Sequence, residues 1–278
     1  MSSGKSRILI TGAGGIVGSG IRPYLAEQFD EIVLLDIKPI ADTAANETAI
    51  LGSANDPACI RDAIAGVDGV VHLACAYGLT ISLDETIETN YRGLVTLLDA
   101  FVAARCSHFV FASSHHGWGY YPRGTPVTTQ DLPRPDGWYG ISKVFGESAL
   151  AHYADSHGFS ATSLRIGNNA PAVEDERRTH MWMSFKDTAH AIALSLKSPH
   201  LGHKAVFATA DCIVPFFDNS DLKALGFHTT DKPLDNLSSP SVANEKPSTG
   251  IFGEAVGGAY VEANFKGRIE DWRKSNES

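Results

Sequence analysis

The chain reads as an α/β protein, a Rossmann-like doubly wound parallel sheet with a small C-terminal substrate-binding part. Three observations predict this. Apolar, β-branched runs alternate with helical segments, the pattern of a parallel sheet covered on both faces. The first of these runs feeds into a glycine-rich turn, Gly12-Ala13-Gly14-Gly15-Ile16-Val17-Gly18, which opens a helix. Downstream, Tyr139 is followed by Lys143 at a spacing that puts both on one helix face.

Taken in order, residues 7–11 (R-I-L-I-T) are a buried strand. The helix after the turn runs to about Phe29, with Pro23 expected to kink it. Residues 32–37 (I-V-L-L-D-I) are a second strand ending in an acid, and a further strand lies within 67–74 (V-D-G-V-V-H-L-A). Residues 89–105 read as a long amphipathic helix, and 108–112 (H-F-V-F-A) as the next strand. Residues 139–157 are helical, 161–166 (A-T-S-L-R-I) a strand and 187–198 a helix. Residues 170–179 form a charged loop, and 231–250, rich in Pro, Ser, Asn and Asp, another. Gly257-Gly258-Ala259-Tyr260-Val261 reads as the opening of a short final strand. We expect one domain over 1–278. Within it, 1–167 mainly holds a cofactor and 168–278 mainly holds substrate.

Composition narrows the function. The 278 residues are 43% hydrophobic and 20% charged, as in ordinary globular proteins. A formal charge of −9 argues against a nucleic-acid partner, because phosphates need a basic surface. No apolar run approaches the roughly 18 residues of a membrane span, and residues 1–7 carry no signal-peptide pattern. The four cysteines, Cys59, Cys75, Cys106 and Cys212, form neither a C-x-x-C pair nor a metal-ligand spacing, so no metal is expected. Free thiols suit a reducing cytoplasm.

Gly12, Gly15 and Gly18 give G-x-x-G-x-x-G between a strand and a helix. The first allows the tight turn, the second lets the backbone approach a pyrophosphate, and the third lets helix pack on strand. The helix N-terminus then faces the phosphates. A plain strand–helix turn is the competing reading, and the strand–turn–helix context favours a dinucleotide. Asp36 ends the second strand, where an acid accepts hydrogen bonds from the adenosine ribose and repels a 2′-phosphate. The expected cofactor is therefore NAD rather than NADP, with a simple strand-end cap as the alternative role for Asp36. A free phenol titrates near pH ~10. Lys143 is expected to favour the Tyr139 phenolate, so that the pair handles a proton while the dinucleotide handles a hydride.

Five elements in fixed order carry a family resemblance: G-A-G-G-I-V-G at 12–18, V-H-L-A at 71–74, Asn90 in T-N-Y-R-G, F-A-S-S at 111–114 and Y-G-I-S-K at 139–143. The chain resembles the extended short-chain dehydrogenases/reductases. That resemblance implies Tyr139 as acid/base, Lys143 bridging the nicotinamide ribose, Ser114 bonding the reacting oxygen and Asn90 supporting a proton relay. It also implies cofactor contacts from Ile16, Val17, Ile37, Ser53, Leu73, Ala74, Cys75 and Ile166.

A narrower likeness runs through Phe111-Ala112-Ser113-Ser114-His115-His116, Gly119-Tyr120-Tyr121-Pro122, Arg134-Pro135-Asp136-Gly137, Leu164-Arg165-Ile166-Gly167, residues 182–187 and 217–220. It is similar to the uronate dehydrogenases, which oxidise the anomeric carbon of a hexuronic acid with NAD and release a lactone. The resemblance places Ser114, His115, His116, Tyr139, Asn168 and Arg177 around the sugar, with Arg177 holding its carboxylate. His115 replaces that group's usual asparagine, Asn168 its usual serine, and Ser53 its usual acid near the adenine, with Asp56 close by. The R-I-G-N and M-W-M-S segments also resemble NAD-dependent glucose-6-phosphate dehydrogenases, so the sugar stays open among uronates, aldoses and sugar phosphates. Relatives in this group associate, so a homo-oligomer is expected. An epimerase or a dinucleotide-sensing protein are the other readings. The blander readings make His115 and His116 loop histidines, Arg177 and Arg178 members of a solvated loop, and Cys75 and Trp182 packing residues.

Overall fold

The computed structural model describes residues 6–198 and 200–276. The elements in chain order are β1 (Arg7–Thr11), α1 (Ile16–Ala26), β2 (Glu31–Asp36), β3 (Glu47–Leu51), α2 (Pro57–Ala63), β4 (Gly69–His72), α3 (Leu83–Thr86), a π-helical stretch (Ile87–Gly93) and α4 (Leu94–Ala103). Then follow β5 (His108–Ser114), α5 (Trp138–His157), β6 (Ser160–Ile166), β7 (Asn168–Asn169), β8 (Trp182–Met183), α6 (Phe185–Lys197) and β9 (Gly202–Ala208). Short helices α7 (Ser220–Ala224), α8 (Gly250–Glu254), α9 (Ala259–Asn264) and α10 (Ile269–Lys274) complete the chain.

Seven strands form one sheet in the order β3-β2-β1-β4-β5-β6-β9, every pairing parallel. The continuous apolar strands follow from burial on both faces. Along β1, Ile8 and Ile10 face one core with Ile21 and Leu25 of α1 and Ala189 and Ile192 of α6, while Leu9 faces the other with Ile60 of α2, Leu97 of α4 and Leu150 of α5. Strand order reverses between β1 and β4, and the carboxyl ends of both open into the crevice where such sheets bind ligands. A third cluster, with Trp118, Phe207, Phe217 and Val256, ties the C-terminal segments to that end.

Several boundaries differ from expectation. The helix over 89–105 begins at Leu83 under a Ser82–Glu85 capping box and carries the π-helical stretch before α4. The helix containing Pro23 ends at Ala26. The segment opening at Gly257 is a helix and not a strand: Gly258 has φ +58°, which turns the chain directly into α9. Residues beyond 167 also build the sheet, through β9 and the covering α6.

Candidate active site

The phosphate turn is built from close approaches. Gly12 has φ +71°, and a Cβ there would lie 2.6 Å from the Ala74 nitrogen; one on Gly18 would lie 2.6 Å from the Gly12 carbonyl. Gly15 is different. A Cβ there would meet only the Gly12 carbonyl, at 3.3 Å, so its outer side is open. Gly15 is also the N-cap of α1, which has no side-chain cap, leaving the amides of its first turn for an anion. Asp36 accepts from the amides of Gly14 and Lys38, both at 2.9 Å, which fixes its carboxylate beside the turn. Ile16 and Ile37 expose apolar surface nearby, and Val17 is half-buried. Ser53 accepts from the Asn55 amide, while Asp56 is occupied as the N-cap of α2. Leu73, Ala74 and Cys75 follow β4 and are half-buried. An open anion cradle, a fixed carboxylate beside it and an apolar rim fit a dinucleotide.

Ser114 ends β5, and Tyr139 and Lys143 lie in the first turns of α5. Both helix residues thus meet the end of β5. Ser114 is buried and hydrogen-bonds Tyr139. Lys143 is 3% exposed, donates to the Ala112 carbonyl at 2.7 Å and sits 5.4 Å from the Tyr139 ring centroid. Burial is the largest effect on the phenol and pushes it well above its ordinary value, and the Ser114 hydrogen bond is what opposes it. Asn90 lies in the π-helical stretch. Its Oδ1 accepts from the Ala76 amide (2.7 Å), and its Nδ2 donates to the Ala76 carbonyl (2.8 Å) and to Ser142 Oγ (2.9 Å). It therefore pins the loop after β4 to α5, with its side chain on Ala76 and Ser142 and not on Tyr139 or Lys143.

His115 and His116 are buried in a 3₁₀ turn directly after Ser114. His116 Nδ1 lies 2.7 Å from Asp136 Oδ2. Burial raises the Asp136 carboxyl to about 8 and holds His116 well below the ordinary imidazole range. The pair thus shares one proton and carries no net charge. Gly119 and Gly257 pack against the Asp136 carboxyl, where a side chain would collide. Arg177 turns inward from its charged loop. Its Nε and Nη2 donate to the Val256 carbonyl at 3.0 and 2.7 Å, and Nη2 lies 3.2 Å from His115 Nε2. Arg178 instead pairs with Asp175 and Glu174 in the loop. Asn168 donates its amide to the Met181 carbonyl and has a buried Oδ1 without a partner among the described residues. Ile166 ends β6 and its carbonyl faces His115 Nδ1 at 3.1 Å. Trp182 is buried in a small apolar cluster.

Four groups escaped the sequence reading. Asp136 was visible only as part of a motif, and its pairing with His116 needs the folded loop. Tyr260 packs on His116 at a tilt, with ring centroids 3.9 Å apart, and its ring lies 6.0 Å from that of Tyr139. Tyr77 lies 6.4 Å from Tyr139. The buried Glu147–Arg165 pair is the fourth. Arg165 Nη2 donates to Glu147 at 2.9 Å, Ser113 donates to the same carboxylate at 2.5 Å, and Arg165 stacks on Trp118 at 3.6 Å. Glu147 lies on the Lys143 face of α5, and that i, i+4 spacing was the available signal.

The sequence pattern of the NAD dependent epimerase/dehydratase family matches residues 8–206. The uronate dehydrogenase of Agrobacterium fabrum is 34% identical over 83% of this chain and 85% of its own length. A solved structure of a mutated uronate dehydrogenase superposes with a TM-score of 0.86 at 27% identity, covering 99% of this chain and 98% of the other. A uronate dehydrogenase mutant from Agrobacterium tumefaciens, complexed with NAD, has a TM-score of 0.82 at 29% identity, covering 92% and 97%.

Proposed function

Because this chain belongs to the NAD dependent epimerase/dehydratase family, we propose that it works as an NAD-dependent sugar dehydrogenase whose substrate is a hexuronic acid, oxidised at C1 to the lactone. Ser114 and Tyr139 hold the C1 hydroxyl between them. As the phenolate, which the nearby Lys143 charge and the Ser114 hydrogen bond favour, Tyr139 takes the hydroxyl proton and becomes the neutral phenol as the hydride leaves C1. Lys143 spends one of its three donors on Ala112, which leaves two for the cofactor ribose. When bound, NAD supplies the hydride acceptor. The glycine turn and Asp36 would hold its pyrophosphate and ribose.

The observation that carries the choice of an anionic sugar is Arg177. Its acceptors are the neutral Val256 carbonyl and His115, and it pairs with no carboxylate among the described residues. Burial lowers it only to about 10, so it remains a cation beside the pocket at neutral pH. A bound carboxylate would complete that charge. The four unpaired cysteines support a reducing cytoplasmic setting, and a homo-oligomer remains part of this reading. The experiment is Tyr139→Phe. Turnover of a hexuronate should fall at least about a hundredfold while NAD affinity changes little, since only the proton carrier is lost. Retention of most activity would rule out Tyr139 as the acid/base.

A further inference from the structure

The histidine beside Arg177 has its tautomer fixed by its neighbours. His115 Nδ1 faces the Ile166 carbonyl at 3.1 Å, which can only accept, so Nδ1 carries the hydrogen. His115 Nε2 is then a lone pair, and it faces Arg177 Nη2 at 3.2 Å, which can only donate. The Val256 carbonyl takes the other Nη2 hydrogen, together with that on Nε. A guanidinium offers a carboxylate two forks, Nε with Nη2 and Nη1 with Nη2. Both need Nη2, and both of its hydrogens are committed. Gly258 lies against this guanidinium, where a Cβ would collide. Nη1 is the donor that has no protein partner among the described residues.

Building on the proposed function, we propose that His115 is a specificity-determining positioning residue. It occupies the Nη1/Nη2 fork of Arg177, so the sugar's carboxylate is held by Nη1 alone. Selection for hexuronates over neutral aldoses is therefore weaker than a free fork would impose. His115→Ala returns one Nη2 hydrogen to the pocket and reopens that fork, whereas the bond to the Val256 backbone stays.

The test compares kcat/KM for glucuronate with kcat/KM for glucose in wild type and in His115→Ala. The ratio should rise about tenfold in the variant, the difference between one and two charge-assisted hydrogen bonds. An unchanged or lower ratio would overturn the proposal. A second measurement does not depend on turnover: the long-range ¹H–¹⁵N spectrum of the His115 ring in wild-type protein, assigned by its loss in the variant. A protonated Nδ1 and bare Nε2 are expected; a protonated Nε2 would overturn the proposal even if no sugar is turned over. Absence of hexuronate turnover in wild type, with the expected tautomer present, would count against the proposed function and not against the hydrogen bond.

Discussion

At the scale of the residue, two side chains decide how the pocket treats charge. Arg177 is the cation held on neutral acceptors. Removing it in Arg177→Ala should raise KM for a hexuronate about tenfold or more, and much less for a neutral aldose; equal effects on both sugars would deny it the carboxylate. Asp136 is the second. Its carboxyl is raised by burial, so the pair with His116 stays neutral below about 8 and gains a negative charge as pH rises through that value. That charge is felt by Arg177 and opposes an anionic sugar. KM for a hexuronate should therefore climb above about pH 8 in wild type and stay level over the same range in Asp136→Asn. A parallel rise in both proteins would place the titration elsewhere. Sequence spacing gave no access to this pair, because its partners are joined by a loop that only the fold brings back.

At the scale of the element, the ends of β5 and β6 are held by charge as well as by the ladder. Glu147 and Arg165 are each less than 10% exposed, and Ser113, next to Ser114, bonds the same carboxylate. Glu147→Gln leaves Arg165 buried without its counter-charge and should cost about 3 kcal/mol of stability, read from the urea midpoint. A cost under about 1 kcal/mol would mean that the pair does not brace the strand ends. The glycine turn, strands β1, β2, β4, β5 and β6 and helices α1, α5 and α6 were legible because buried strands are continuous apolar runs and the turn has few alternative residues; β3, half-exposed at the sheet edge, was not. The π-helical stretch at Ile87–Gly93 was not, because one extra residue per turn barely disturbs helical periodicity over so short a segment. Yet that stretch carries Asn90. The segment at Gly257 was misread because paired glycines before Ala-Tyr-Val resemble a strand start, while the φ of Gly258 sends the chain into α9. Tyr260 was lost with that misreading.

At the scale of the whole molecule, the sheet brings segments from distant parts of the chain to one edge. The glycine turn follows β1, Asp36 ends β2, Ser114 ends β5 and Arg177 lies beyond β7. Binding a dinucleotide across that edge stabilises only the folded state, by about 2.7 kcal/mol at a hundredfold excess over Kd. NAD should raise Tm by several degrees. NADP should raise it less, because Asp36 sits where the 2′-phosphate would be repelled. Equal shifts would remove Asp36 as the discriminator. Among the described residues no helix is long and apolar enough to cross a membrane, and no cluster of His, Cys, Asp and Glu is arranged to hold a metal ion.

The central claim, C1 oxidation of an anionic sugar, is tested most directly by following NADH formation with the purified protein and NAD against hexuronic acids, neutral aldoses and sugar phosphates. Turnover that is highest with hexuronic acids and yields the lactone is the predicted result. Turnover confined to phosphorylated or neutral sugars, or none at all with NAD bound, would contradict it.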